Sequence, residues 1–159
     1  MLFDSTTKVD VIVKCGIDPG KDYYAYAVGK KEVLIDFGVR EIDESLPEAD
    51  AYIIELPTLQ GQARVQRGTF EMTVVAGRLI ERAVRTGKIV LAVPSNAIRR
   101  QAGYTTDQGN FDRWWKQRLG WLGYDVSRKG LANDHLRDAA NAMRVNINPQ
   151  NRGLYEVVK

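Results

Sequence analysis

Two short apolar runs, each closed by a carboxylate and soon after by a proline, constrain this chain more than any other feature. The first is Val11-Ile12-Val13-Lys14-Cys15-Gly16-Ile17-Asp18, ended by Pro19-Gly20. The second is Ala51-Tyr52-Ile53-Ile54-Glu55, with Pro57 two residues on. Apolar, β-branched stretches bounded by such breakers read as strands buried in a sheet. Each therefore delivers an acid to a strand end, where a carboxylate is poorly solvated unless something positive meets it. Asp18 also has a plainer reading, as the residue that starts a turn, and the stretch alone leaves both open.

The remaining elements follow from periodicity. Residues 23–29 and 32–39 read as two further strands, and the short Gly29-Lys30-Lys31 link makes the first three strands an antiparallel meander. An acidic linker occupies 41–50. The loop over 56–68 holds Gln60, Gln62, Arg64, Gln66 and Arg67 and no acid. Over 70–85, Met72, Val75, Ala76, Leu79, Ile80 and Ala83 fall at helical spacing, and Thr86-Gly87 stops the helix. Residues 88–93 form another apolar strand ended by Pro94. Strand, helix and strand at this length make a crossover unit, so this half of the sheet is expected to be parallel.

A short helix over 95–101 carries Arg99 and Arg100. A further helix presents Phe111, Trp114, Trp115, Leu119 and Leu122, a stripe that reads as core rather than as a platform for stacked bases. The last helix covers 133–145, with Leu136, Ala139, Ala140 and Met143 facing inward. Residues 1–9 and 146–159 read as tails, the second with a strand-like end over 154–158. The expectation is one α/β domain over 1–159, a five-stranded mixed sheet with helices on both faces.

Composition narrows the function classes. At 159 residues the chain suits a single domain with its own core. It has no apolar run of membrane-spanning length and no basic-then-apolar start, so the expected location is cytoplasmic, the host cytoplasm if the chain is viral, with no membrane partner. A single cysteine, Cys15, rules out a disulfide framework and a cysteine-based zinc site. Charge is uneven along the chain. Residues 1–60 carry 6 Lys/Arg and 12 Asp/Glu, a net −6, whereas residues 61–159 carry 17 and 8, a net +9. Arg outnumbers Lys in that second part, which suits bidentate contact with phosphate. Arg64, Arg67, Arg99, Arg100, Arg113, Lys116, Arg128 and Lys129 are the candidate contacts to a polyanion. Solvated helix faces explain part of this excess, as the i,i+4 pair of Glu81 and Arg85 illustrates.

The chemistry concentrates in Asn133-Asp134-His135-Leu136-Arg137-Asp138-Ala139-Ala140-Asn141-Ala142. His135 and Asp138 are three apart and Asp134 and Asp138 four apart, so all three lie near one helix face. Asp134 has an alternative reading as an acid favoured by the helix dipole, and the lone histidine as a hydrogen-bonded surface residue. Asp138 is harder to explain away, being mid-helix among small residues that let a backbone pack closely on a sheet. Strand-end acids converging with a helix acid make an oxygen-rich site, suited to Mg²⁺ or Mn²⁺ rather than Zn²⁺ or Cu²⁺. Carboxylates this close stay ionised together only when cations fill the gap. Two such ions, about 3.5–4 Å apart, can clamp a phosphodiester for hydrolysis. That is nuclease chemistry.

At these residues a family resemblance appears. Gly16-Ile17-Asp18-Pro19-Gly20 with the Tyr-rich strand after it, Ile53-Ile54-Glu55, and His135-x-x-Asp138-Ala139-x-Asn141-Ala142 resemble RuvC-type Holliday-junction resolvases of the RNase H-like superfamily. The resemblance spans about residues 10–145. It implies an RNase H-like fold, two Mg²⁺ or Mn²⁺ ions per site, and homodimers that cut four-way DNA junctions. It further implies that Asp18 bridges both ions, that Glu55 and Asp138 each help hold one, and that His135 orients or activates water or ligates metal. Asp134 has no clear counterpart and stays a secondary candidate ligand. Arg99 and Arg100 fall where the family contacts DNA, and Leu59 or Phe70 where it places an apolar wedge. The 41–50 linker and the stretch after Val145 match nothing in the family. Rival readings are a less selective branched-DNA or flap endonuclease with the same site, and a junction-binding module without turnover. Half of an actin-like ATPase shares the first motif, but that fold needs a second, similar domain.

Overall fold

The computed structural model describes residues 12–31, 33–57, 67–101, 131–145 and 156–157, with backbone alone at 67–69, 99–101, 131–134 and 156–157. The helix expected around Trp114 and Trp115 lies outside them. Strands β1 (Val13–Pro19), β2 (Tyr23–Lys30), β3 (Val33–Glu41), β4 (Ala51–Leu56), β5 (Ile89–Pro94) and β6 (Glu156–Val157) form one sheet in the order β3-β2-β1-β4-β5-β6. The described helices are α1 (Arg67–Arg85), α2 (Ser95–Gln101) and α3 (Leu131–Met143).

β1 pairs antiparallel with β2 and β2 with β3, while β1 pairs parallel with β4 and β4 with β5. The meander and the crossover read from the sequence are therefore both present, along with all five strands. The sheet also has a sixth strand. Two residues of the supposed tail pair antiparallel with β5, through Leu91↔Val157 and Ala92↔Glu156.

Strand alternation divides β1 between two cores. Cys15 and Ile17 face α1, where Val75, Ala76, Leu79 and Ala83 bury the helix's apolar stripe against them and against Tyr52, Ile54 and Val90. On the opposite face, Leu136, Ala139, Ala140 and Met143 of α3 pack on Ala25, Ala27 and Leu34. Ala142 and Val145 join Ala51, Ile53, Leu91 and Val93 there, together with Ala97 and Ile98 of α2. α1 ends as its sequence requires. Gly87 takes a positive φ of 73°, and the Thr86 and Gly87 N–H groups donate to the carbonyls of Ala83 and Val84.

α3 lies unusually close to β1. A Cβ on Gly16 would stand 2.0 Å from the Ala139 carbonyl oxygen and 2.3 Å from the Met143 nitrogen. The alanines supply the helix side of this contact and Gly16 the sheet side. Beyond the helix end, the buried Lys14 ammonium donates to the Val145 carbonyl at 3.0 Å, placing a cation where the helix dipole is negative.

This packing generates paired expectations. Gly16→Ala forces backbone apart and should destabilise the protein by about 3 kcal/mol, the upper end for overpacking, or roughly 6–12 °C in melting temperature. Gly77→Ala, on the exposed side of α1 with nothing within 4 Å of the new Cβ, should instead stabilise by ~0.5–1 kcal/mol. Thermal melts of the two variants beside the wild type check both signs.

Candidate metal centre

The register of the parallel pair sets up the site. β1 and β4 align through Gly16↔Ile53 and Ile17↔Ile54, so Asp18 and Glu55 come next on adjacent strands. Both belong to the face that α3 covers, the face of Gly16 and Ile53. α3 rests on Gly16 through Ala139 and Met143; Asp138 immediately precedes Ala139, and His135 lies one turn before it. Asp18, Glu55 and Asp138 each offer a carboxylate oxygen, and these three atoms lie within 4.8 Å of one another. The cleft they open into has a volume of about 260 Å³ and is lined also by Pro19, Pro57, Met72, Ser95 and His135.

Three carboxylates this close repel one another, and burial adds to the strain. The burden falls on Glu55. Burial first, then the Asp18 and Asp138 charges, push its carboxyl up to about 9 from an ordinary 4.5; the nearby Ser95 hydroxyl donates to the Leu56 carbonyl at 2.8 Å. Its Oε2 atom is buried and has no hydrogen-bond partner among the described residues. Asp18 is differently placed, since its Oδ2 meets His135 Nδ1 at 2.5 Å. The imidazole in turn meets the Tyr23 ring edge to face, with centroids 5.6 Å apart and planes at 86°. Asp138 Oδ1 lies 3.8 Å from Arg137 Nε.

An orphaned, buried carboxylate oxygen beside two further carboxylates is a donor set that fits a hard divalent cation. Such an ion would satisfy Glu55 Oε2 and offset the mutual repulsion together. Asp18, Glu55 and Asp138 are the residues that could hold it, with His135 at the rim.

Of the sequence candidates, Asp18, Glu55, His135 and Asp138 come together. Asp134 belongs to α3, but its side chain lies outside the described residues, as do those of Arg67, Arg99 and Arg100 in α1 and α2. Arg64, Arg113, Lys116, Arg128, Lys129 and Leu59 are wholly outside them. Phe70 is exposed on α1, at 62%. Sequence reasoning passed over Ser95, Met72 and Tyr23. Ser95 follows the proline that ends β5, and the parallel pairing of β4 and β5 brings it to the cleft. Met72 reads as core from its helical spacing and lines the cleft instead. Among the described residues no helix is long and apolar enough to cross a membrane.

The raised Glu55 carboxyl makes stability depend on pH. The folded state holds that proton more tightly than the unfolded chain, so its stabilising effect is complete below about pH 4.5 and is lost as pH rises toward about 9. Metal-free protein should therefore melt progressively lower across that window, and Glu55→Gln should flatten the decline. Mg²⁺ at about 100 times its Kd should restore about 2.7 kcal/mol, roughly 5–10 °C, in the wild type and far less in Glu55→Gln. Melting curves with and without Mg²⁺ across that pH range measure both effects.

Comparison with known proteins places the fold. No protein-family model matches the chain, and no curated protein sequence matches it. Solved structures do match. RuvC from T. thermophilus, solved in complex with a Holliday junction substrate, superposes with a TM-score of 0.58 at 17% identity, covering 92% of this chain and 99% of that one. A second Thermus thermophilus RuvC structure gives 0.57 at 16% identity with the same coverage. The yeast mitochondrial Holliday junction resolvase Ydc2 gives 0.57 at 11% identity over 82% of this chain and 75% of its own. The chain has the RNase H-like fold of RuvC-type resolvases, a mixed sheet with helices on both faces.

Proposed function

We propose that this protein is a metal-dependent endonuclease that cuts branched DNA, with the four-way junction as its preferred substrate. The observation that carries the reading is the cluster of Asp18, Glu55 and Asp138, whose donor atoms lie within 4.8 Å of one another. The fold adds support, since solved structures that resemble it include a RuvC bound to a Holliday junction and a mitochondrial Holliday junction resolvase.

In this reading Asp18 would help hold both of two Mg²⁺ ions (Mn²⁺ can substitute), and Glu55 and Asp138 would each help hold one. Bound there, divalent ions supply Lewis acidity and charge neutralisation for phosphodiester hydrolysis. The protein's own side chains do the rest. His135, anchored through Nδ1 on Asp18, orients the attacking water and takes up its proton. Pro19, Pro57 and Met72 wall the cleft with apolar surface, which limits stray water beside the acids. Arg64, Arg67, Arg99, Arg100, Arg113, Lys116, Arg128 and Lys129 hold the phosphate chain. A four-way junction has two-fold symmetry, so paired cuts call for a homodimer with one site per copy. Recognition would rest on branch shape and phosphate position rather than on base sequence.

Synthetic DNA tests this. Wild-type protein should nick a four-way junction symmetrically in Mg²⁺, leave linear duplex intact, and stop when the metal is chelated. Asp18→Asn and Asp138→Asn should each lower the cleavage rate about 10³-fold, a loss of about 4 kcal/mol in transition-state stabilisation, while junction binding in a gel-shift assay persists. Equal cutting of flaps, forks and junctions would indicate a less selective debranching nuclease. Undiminished cleavage by Asp18→Asn would overturn the assignment.

A further inference from the structure

We infer that Tyr23 is a positioning residue for His135, its ring setting the plane of the imidazole so that Nδ1 stays on Asp18. A histidine ring can turn about its terminal side-chain torsion, which is soft. Such a turn would tilt the ring plane, carry Nδ1 away from Asp18 Oδ2 and leave that oxygen without its partner. The contact to Asp18, at 2.5 Å, opposes the turn from one side. Tyr23 opposes it from another. The two rings meet at 86° with centroids 5.6 Å apart, the edge-to-face arrangement that aromatic quadrupoles favour.

Tyr23 is itself well fixed. It is the first residue of β2, and its carbonyl accepts the Gly20 N–H at 2.8 Å, closing the turn that follows Asp18. Its ring lies over Gly20, where a Cβ would stand 3.1 Å from the ring atoms Cε2 and Cζ. The turn that ends the first acid-bearing strand thus seats an aromatic ring, the ring seats the histidine, and the histidine returns to the acid. A side chain of similar bulk without an aromatic face could fill the space but could not hold the plane of the imidazole in this way.

The positioning stands on this geometry, while its consequence for cleavage rests on the nuclease reading above. One experiment separates them. His135 is the only histidine in the chain, so protein with labelled imidazole nitrogens gives an unambiguous NMR signature. Metal-free wild type should show an Nδ1-bound proton protected from exchange with water. Tyr23→Phe should keep it. Tyr23→Leu, checked to melt like wild type, should lose it, and Tyr23→Met takes its place if the leucine variant does not fold. On a four-way junction Tyr23→Leu should lower kcat about tenfold at unchanged KM, with Tyr23→Phe restoring the rate. Loss of the protected proton in Tyr23→Leu, in a protein that cuts no junction at all, would support the positioning and refute the nuclease reading. A protected Nδ1 proton that survives in Tyr23→Leu would overturn the positioning, whatever the cleavage result.

Discussion

Where α3 crosses β1, the Ala139 carbonyl oxygen lies so near the Gly16 backbone that no side chain fits between them. Backbone against backbone leaves little freedom to slide or rotate. That contact fixes how the helix is turned, and so where the residues just before it fall. His135 and Asp138 arrive over the ends of β1 and β4, and the parallel register of those strands has already brought Asp18 and Glu55 side by side. The cleft is thus a consequence of packing several residues away. The buried Lys14, bonded to the carbonyl just beyond α3, ties down the far end of the same helix.

The price of this arrangement is electrostatic. Three carboxylates converge, and Glu55, with one oxygen buried and unpartnered among the described residues, carries the largest share. Asp18 is relieved by His135, and Asp138 lies nearer to Arg137. A fold that served stability alone would replace at least one acid with an amide or an apolar residue. Strain of this kind, in a cleft and with a named cause, is characteristic of sites that bind or react.

Much of this was legible in the sequence. The strand-end acids Asp18 and Glu55 stand out because an apolar run closed by a breaker encodes both a buried strand and where it stops. His135 and Asp138 stand out because helical spacing puts them on one face without reference to the rest of the chain. Other features depend on long-range register and were not legible. Ser95 reaches the cleft because β4 and β5 pair in parallel, with Glu55 opposite Val93 and Leu56 opposite Pro94. Tyr23 matters through a ring contact with a residue 112 positions later, which no local pattern encodes. β6, two residues long, falls within the strand-like end over 154–158, but its pairing with β5 as a sixth strand of the sheet depends on long-range register. Gly16 shows in sequence only as part of a strand, and its steric role emerges when α3 is in place.

The account turns on whether Asp18, Glu55 and Asp138 together hold divalent cations. Crystals soaked in Mn²⁺ and measured for anomalous scattering answer this without relying on any activity. The account predicts anomalous peaks in the cleft, with oxygens of all three carboxylates at about 2.0–2.3 Å from manganese. A cleft without manganese at saturating concentration, or peaks that touch none of the three, would contradict it.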